Sequence, residues 1–314
     1  MCNNDATPLI SICIATIDSP KSVKELIDSL YMQCLDDVEV IICDESSDDI
    51  TENIVKECNI PIRYYRRKKS GLDSAIIFLT EKSLGDFIWW FGDDIFLDGA
   101  VSEVVSVVKN NKGLNFIWVN SRDKTQIDQT AFPNISNFLY RDKDDILDFD
   151  IGMLGFISAT IIRRSVALKG VESAKKHIGS AFVCLSIVLF VIAQPGKAFF
   201  IGRPCFESSP KPSGEVRWYD QFQVFGINLF IISKEFEYAF SKKKFKRAIS
   251  KNLTKVLKSI IAERGMGLTT GFASTTISIK PLIKLFWRYS KLWLYLPLII
   301  LPRKIIIFLY KFVK

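Results

Sequence analysis

The sequence predicts an α/β fold with a mainly parallel sheet flanked by helices, and three observations support this. Short apolar runs alternate with stretches of helical periodicity over the first 120 residues. The apolar runs are rich in β-branched residues, as expected of strands that are buried on both faces. The chain has 314 residues, 48% of them hydrophobic, so it can build a sizeable core, which excludes a disordered or collagen-like protein.

The first elements can be placed one after another. Leu9–Thr16 (LISICIAT) is a predicted strand, and Ser19 is expected to cap the helix that follows it. Val38–Cys43 is the second strand, after which Ser47 or Asp48 is expected to cap a helix. The later predicted elements are a strand at Pro61–Arg66, a helix at Gly71–Leu84, strands at Asp86–Phe91, Asn115–Asn120 and Phe156–Ile162, a core helix at Ile178–Ala193, and helices over 219–240 and 242–263.

Charge is distributed unevenly along the chain. The formal net charge is +8, but the part after residue 240 contains 17 Lys and Arg against the single acid Glu263, which is +16. The first 240 residues therefore carry −8, and the protein is predicted to have an acidic body and a basic tail. We divide the chain into a body at 1–240, with halves at about 8–120 and 121–240, and a basic tail at 241–314.

The seven cysteines contain no CxxC pair, which favours a reducing compartment and argues against a zinc site. The first residues, MCNNDATP, lack a basic region followed by an apolar one, so we expect no signal peptide.

Ligands of parallel α/β sheets bind beyond the carboxyl ends of the strands. Asp93 and Asp94 follow a predicted strand directly, and two adjacent carboxylates repel one another unless a cation or several donors compensate. Oxygen ligands suit Mg²⁺ or Mn²⁺, which proteins hold by one or two carboxylates plus substrate phosphates. The alternative is that the pair caps a helix beginning near Asp98.

Two other groups lie at the same predicted edge. Asp44 and Glu45 end the second strand, where they would either cap the next helix or accept hydrogen bonds from a nucleobase or ribose. The basic run Arg66–Lys69 would form either a solvated surface or a site that attracts a diphosphate.

These segments resemble a known family. The order PLISICIATIDSP, VEVIICDESSDD and GLDSAIIFLTEKSLGDFIWWFGDDIFLDGA is similar to family 2 glycosyltransferases of the GT-A (Rossmann-like) fold, and in style to abequosyltransferase-like enzymes of bacterial polysaccharide assembly. The resemblance covers residues 8–105 well and 106–240 loosely. It implies donor nucleotide contacts for Ala15, Thr16, Asp44, Glu45, Gly71, Asp73 and Asp93, and a DxD-type metal site at Asp93 and Asp94.

The chain departs from the family pattern in two places. Ile95 stands where many relatives have a third Asp, and Ile178–Leu185 contains no carboxylate where a catalytic base would be sought. A transfer with inversion needs a group that takes the proton of the acceptor hydroxyl. The candidates are Asp148, Asp150, Glu172 and His177, and the base is left unassigned.

The tail predicts a membrane contact. Residues 241–264 have apolar side chains at helical spacing with Lys on the other positions, as in a basic amphipathic helix. The longest uncharged run after residue 280, Leu292–Pro302, is too short to span a bilayer, so an interfacial segment is expected, with packing on the body or in a dimer as the alternative.

The sequence therefore predicts a metal-dependent glycosyltransferase that uses a nucleoside diphosphate sugar and a lipid-linked glycan acceptor. We expect it to be cytoplasmic and peripheral on the inner face of the plasma membrane, bound to anionic lipid rather than to nucleic acid. The alternative function is that of a catalytically degenerate scaffold with the same fold.

Overall fold

The computed structural model describes residues 7–92, 94–123, 126–130, 132, 136–208, 219–266, 279–302 and 304–308. The chain divides into two compact units. Unit 1 comprises residues 1–146, 154–179 and 183–210, and unit 2 comprises residues 147–153, 180–182 and 211–314.

Unit 1 is built on a mixed sheet in the order β3-β2-β1-β4-β9-β6-β10-β5, with β7 beside β6 and β8 beside β10. Most paired residues lie in parallel ladders, which join β3, β2, β1 and β4 to one another and β6 to β10. The strands are β1 Ile10–Thr16, β2 Val38–Asp44, β3 Ile62–Arg66, β4 Phe87–Phe91, β5 Ile95–Phe96, β6 Leu114–Asp123, β7 Gln126–Thr130, β8 Phe138–Tyr140, β9 Thr160–Arg163 and β10 Lys197–Ser208.

Helices connect the strands of unit 1. They are α1 Pro20–Leu30, α2 Ile50–Glu57, α3 Leu72–Lys82, α4 Ala100–Asn110, α5 Lys143–Ile146, α6 Arg164–Ala174 and α7 Val183–Ala193. All five residues of β4 are buried, as are most residues of β1 and β2, because helices cover a sheet of this kind on both faces. The α/β class and the predicted order of these elements are confirmed.

Three local predictions need correction. The residues from Phe156 do return to the sheet, but the strand begins only at Thr160 because a short 3₁₀ helix precedes it, and it runs antiparallel between β4 and β6. Ser19 occupies the N-cap position of α1, but its hydroxyl donates to the carbonyl of Ile17, two residues earlier, instead of capping the helix. Helix α2 begins at Ile50, and the N-cap position is Asp49 rather than Ser47 or Asp48, although the carboxylate of Asp48 accepts from the backbone N–H of Ile50 at 3.1 Å.

Unit 2 is mainly helical. A π-helical stretch, Gln223–Asn228, leads into α8 Leu229–Lys234, and α9 Lys242–Gly265, α10 Ile279–Phe286 and α11 Ser290–Ile300 follow. The apolar face of the amphipathic helix α9 is buried, including Phe245, Leu253 and Ile260. None of the helices in the described ranges combines the length and the apolarity that crossing a bilayer requires.

Candidate active site

The candidate site begins with the register of three strands. Thr16 is paired with Asp44, and Asp44 with Arg66, so the last residues of β1, β2 and β3 lie side by side. Gly92 and Asp94 continue the chain beyond the end of β4, the next strand in the sheet. The ends of these four neighbouring strands therefore lie at one carboxyl edge of the sheet, as parallel pairing dictates.

The carboxylate of Asp44 is fully buried at this edge. One oxygen accepts a hydrogen bond from the backbone N–H of Ser46 at 2.8 Å, and the other accepts one from the hydroxyl of Tyr64 at 2.6 Å. Burial, and then this hydrogen bond to Asp44, raise the pKa of Tyr64 well above its ordinary value. Tyr64 therefore stays protonated and donates, which partly compensates the buried charge.

Glu45, also buried, fastens the loop that leads into α3. Its carboxylate accepts from the hydroxyl of Ser70 at 2.5 Å, and from the backbone N–H groups of Ser70 at 2.7 Å and Gly71 at 2.8 Å. Arg67 lies 3.7 Å from the same carboxylate. Neither Asp44 nor Glu45 caps α2, so the capping alternative is wrong for both residues.

Gly71 and Asp73 form the start of α3. Gly71 has a φ of +87°, in the region that favours glycine, and it occupies the N-cap position of the helix. Asp73 is buried in the first turn, where its carboxylate accepts from the backbone N–H groups of Gly179 at 2.8 Å and Val183 at 3.0 Å. This carboxylate has a clear architectural role, while its predicted donor contact stays a prediction.

Asp18 lies at this edge, in the stretch Ala15–Asp18 at the end of the first predicted strand that was expected to face a ligand, but it was not among the residues predicted to contact the donor. Its carboxylate accepts from the backbone N–H of Ser47 at 2.9 Å and from the hydroxyl of Ser47 at 3.0 Å. These two hydrogen bonds hold the pKa of Asp18 below its ordinary value. In the sequence, its position just beyond a predicted strand end was the signal for a ligand contact. In the structure, its left-handed backbone, with φ of +47°, turns the chain there.

An open cleft of about 500 Å³ lies at this edge, lined by Asp18, Glu45, Ser46, Ser47 and the basic run Arg66–Lys69. Arg67 is fixed in place, since its guanidinium lies 3.3 Å from the carbonyl of Ser74 and 4.4 Å from the ring centre of Phe78. Lys68 and Lys69 are exposed at the cleft. The basic run thus lines one side of an open cleft, and its predicted role in attracting a diphosphate stays a prediction.

The carboxylate of Asp94 is buried beyond β4, while Asp93 lies outside the described residues. Helix α4 begins after Gly99 without a side-chain cap, so Asp94 does not cap it. Ile95, which stands where many similar proteins have a third Asp, starts β5, and this strand is paired with β10. Within the described ranges, no group of three or more His, Cys, Asp and Glu side chains is arranged to hold a metal ion.

The two residues at the end of β1 differ in their surroundings. Ala15 is partly exposed and is paired with Cys43. Thr16 is buried, and its hydroxyl has no hydrogen-bond partner among the described residues. A buried polar group without a partner costs roughly 1–3 kcal/mol, so this hydroxyl is suited to a contact with a ligand.

The four candidates for the base lie in different places. In unit 2, Asp150 accepts from Lys255 at 2.8 Å, and Asp148 lies 3.7 Å from Lys244. In unit 1, Glu172 is an exposed partner of Lys175, and His177 ends the short 3₁₀ helix that follows α6. These contacts do not distinguish among the four, whose catalytic role stays a prediction.

Comparisons with known proteins agree with this geometry. The sequence model of the family described as Glycosyl transferase family 2 matches residues 11–169. Abequosyltransferase RfbV of Salmonella typhimurium is 26% identical over 212 residues, which are 60% of this chain and 62% of that protein. The chain spans less than two thirds of the length of the curated relatives that it matches.

Two solved structures show the same fold. S. aureus TarS 1–349 in complex with UDP-GlcNAc is 12% identical, with a TM-score of 0.64 over 93% of this chain and 81% of that one. The mannosyltransferase PcManGT from Pyrobaculum calidifontis, in complex with GDP-Man and Mn²⁺, is 12% identical, with a TM-score of 0.51 over 94% and 86%. Likeness at such identities shows the fold alone, and it confirms the GT-A fold that the sequence predicts.

Proposed function

Because the chain belongs to glycosyl transferase family 2, we propose that it transfers a sugar from a nucleoside diphosphate sugar to a hydroxyl group of a growing glycan. The observation that carries this proposal is the single carboxyl edge at which Thr16, Asp44 and Arg66 lie in register beside an open cleft. Carboxylates and cations at one such edge suit a nucleoside on one side and a diphosphate on the other.

The nucleoside would lie against the end of β2. The oxygens of Asp44 each accept one hydrogen bond within the protein, and a carboxylate has about four acceptor positions, so capacity remains for a base or ribose. The hydroxyl of Thr16 would gain the partner that it lacks. The complexes of TarS with UDP-GlcNAc and of PcManGT with GDP-Man support a donor of this class.

The diphosphate would lie against the basic run. The acceptor hydroxyl gives its proton to a general base, which stays unassigned, and its oxygen bonds to the anomeric carbon with inversion. The bond from that carbon to the diphosphate breaks, so negative charge develops on the leaving group. Lys68 and Lys69 at the cleft would stabilise this charge, and Glu45 would hold the backbone of their loop in place.

A divalent cation, Mg²⁺ or Mn²⁺, fits the chemistry of Asp94. This buried carboxylate does not cap α4 and directly follows Asp93 in the sequence, and one or two carboxylates plus phosphate oxygens are the usual ligands of Mg²⁺. The cation would neutralise charge on the diphosphate. The Mn²⁺ in the PcManGT complex supports this assignment.

The acceptor is proposed to be a lipid-linked glycan of bacterial surface polysaccharide synthesis, such as an O-antigen intermediate, at the inner face of the plasma membrane. The similarity to abequosyltransferase RfbV supports this class of acceptor. The basic residues of 241–314 support an anionic membrane surface as the partner that keeps the enzyme near it.

A donor screen tests the proposed function. The full chain is incubated with sugars linked to UDP, GDP, CDP or dTDP in the presence of Mn²⁺, and release of free nucleoside diphosphate is measured. Calorimetry with the four nucleoside diphosphates runs in parallel. We expect one nucleotide class to bind and its sugar donors to be hydrolysed, whereas absence of binding to all four would contradict the proposal and favour the scaffold alternative.

A further inference from the structure

The last described segments of unit 2 carry a group of large apolar side chains on their exposed surface. Its six large apolar side chains are each more than two fifths exposed, and we refer to them as the α11 patch: Trp287, Trp293, Leu294, Ile300, Ile305 and Phe308. Exposed apolar side chains are common singly, but a group within so short a segment marks a contact surface.

Helix α11 is held firmly beneath this surface. Leu292, Ile299 and Ile306 recur at seven-residue spacing and are buried, so one side of the segment is seated on the protein. The guanidinium of Arg264 donates to the carbonyls of Ile299 and, at 2.9 Å, Leu301. The exposed side chains therefore belong to an anchored segment.

The amphipathic helix α9 presents no such surface. Its apolar side chains are buried within unit 2, so they cannot enter a bilayer while this unit is folded. Of the two parts of the tail expected to contact a membrane, the amphipathic helix α9 therefore lacks an exposed apolar face, and the segment after residue 280 retains one in the α11 patch.

The cations near the α11 patch favour an anionic partner for it. No acidic residue follows Glu263 in the sequence, and exposed cations accompany the patch at Lys284, Arg288 and Lys291. A second copy of the chain would bring cations against cations, which is unfavourable, whereas anionic headgroups would be attracted.

The two exposed tryptophans fit the same partner. The indole N–H of Trp293 donates to the carbonyl of Trp287 at 2.9 Å, and the guanidinium of Arg288 lies 4.8 Å from the ring centre of Trp287. Tryptophan and arginine side chains that lie together in this way are typical of the boundary between lipid and water.

We propose that the α11 patch lies in the headgroup region of an anionic bilayer, with α11 roughly parallel to the membrane plane. This deepens the membrane partner named under the proposed function, and it specifies which face of unit 2 makes the contact. The geometry is that of an interfacial segment, since none of the described helices could span the bilayer.

Vesicle flotation of the full chain tests this proposal. Vesicles of phosphatidylcholine with phosphatidylglycerol are compared with vesicles of phosphatidylcholine alone. We expect binding to the anionic vesicles, and a decrease of about tenfold or more in the partition coefficient for the double variant Leu294→Ser with Ile300→Ser. Lys284→Gln with Lys291→Gln should also lower binding by about tenfold, and added salt should do the same.

The matched control is Ile50→Ser with Leu84→Ser in unit 1. Their side chains are 52% and 50% exposed, against 56% for Ile300 and 63% for Leu294. We expect this control to bind vesicles as the wild type does, and circular dichroism to show that both variants are folded. Absence of wild-type binding to anionic vesicles, or equal losses in the two double variants, would overturn the proposal.

A change from dimer to monomer in the patch variant, with unchanged vesicle binding, would instead assign the patch to an interface between copies and would also overturn it. Donor hydrolysis in solution is measured for the same variants. Because none of the patch residues lines the cleft at which the donor is proposed to bind, this activity separates a failure of the membrane proposal from a failure of the proposed function.

Brominated lipids provide a second readout. Trp89, Trp90 and Trp118 are fully buried, so lipid bromines would quench the exposed indoles preferentially. We expect quenching of the wild type by brominated anionic vesicles, and its loss or strong reduction in Trp287→Phe with Trp293→Phe. Equal quenching of this variant and the wild type would contradict the placement of α11.

Discussion

The carboxylate of Asp73 lies 3.0 Å from the backbone nitrogen of Val183 and accepts the hydrogen bond that this N–H donates. Its second oxygen accepts from Gly179 at 2.8 Å. Asp73 is in the first turn of α3 and Val183 begins α7, so one buried side chain joins the starts of two helices. The N–H groups in the first turn of a helix lack partners in the helix itself, and a carboxylate there also interacts favourably with the helix dipole.

This contact predicts a stability effect. Asp73→Ala would leave two N–H groups without their acceptor, so we expect the free energy of unfolding to fall by about 2–4 kcal/mol, measured by urea denaturation. Asp73→Asn keeps one acceptor oxygen and should lose about half as much. Asp28→Ala, which removes an exposed partner of Lys24, is the control and should change little. Unchanged stability of Asp73→Ala with a raised KM for the donor would favour the donor contact instead.

The hydrogen bonds of Glu45 predict that the basic loop is protected from proteolysis. Glu45→Ala removes the acceptor of the backbone N–H groups of Ser70 and Gly71, just after the trypsin sites of Arg66–Lys69. Losing two such bonds should lower the free energy that is needed to open this loop by more than about 1.4 kcal/mol. We therefore expect roughly tenfold faster tryptic cleavage in the loop, with the rate measured by mass spectrometry. Glu57→Ala, on the exposed side of α2, should be cleaved at the wild-type rate. Equal rates for both variants would show that Glu45 does not restrain the loop.

The hydrogen bond from Tyr64 to Asp44 predicts a second stability effect. Tyr64→Phe removes the donor at 2.6 Å from a fully buried carboxylate, so the free energy of unfolding should fall by roughly 1–3 kcal/mol. We also expect weaker binding of the nucleoside diphosphate identified in the donor screen, since Asp44 would lose its orientation. Tyr238→Phe, at a tyrosine whose side chain is 82% exposed, is the comparison for the general effect of losing a phenol hydroxyl.

The same tyrosine predicts a dependence on pH. The pKa of Tyr64 is higher in the folded state than its ordinary value of 10.0, so its contribution to stability is complete below pH 10 and is lost as the pH rises toward the folded value. Between these values the stability of the wild type should decrease more steeply than that of Tyr64→Phe. Parallel curves would show that Tyr64 does not donate to Asp44 in solution.

Asp94 predicts the dependence on a divalent cation. Asp94→Ala should reduce donor hydrolysis by about a hundredfold or more, and should weaken binding of Mn²⁺ with the nucleoside diphosphate, while circular dichroism stays that of the wild type. Asp98→Ala, an exposed neighbour before α4, should retain activity. Full activity of Asp94→Ala would refute the metal assignment.

Much of the fold was predictable because its determinants are local. The apolar run LISICIAT becomes β1, and the stretch Ile178–Ala193, predicted as a core helix, becomes a helix only from Val183 onward, with nine of its eleven residues buried. Periodicity and composition also predicted that Asp44, Arg66 and Asp94 would lie at the same edge of the sheet, since parallel strands end at one edge. The helix caps were less predictable, because a serine hydroxyl can also bond to nearby backbone outside the helix. The hydroxyl of Ser19 donates to the carbonyl of Ile17 and accepts no hydrogen bond from an N–H group of α1.

The contacts within the site depended on the tertiary structure. Glu45 is 25 residues from Ser70 in the sequence, and Asp73 is 110 residues from Val183, yet each pair is hydrogen-bonded. Likewise, the spacing of α9 predicted an amphipathic helix. Only packing showed that its apolar face is buried, whereas the apolar side chains of the α11 patch remain exposed. Hydrophobic patterning acts within a segment and thus specifies strands, helices and the charges they carry. Register and packing join segments far apart in the chain, so they alone determined which carboxylate restrains which loop and which apolar surface is left to a partner.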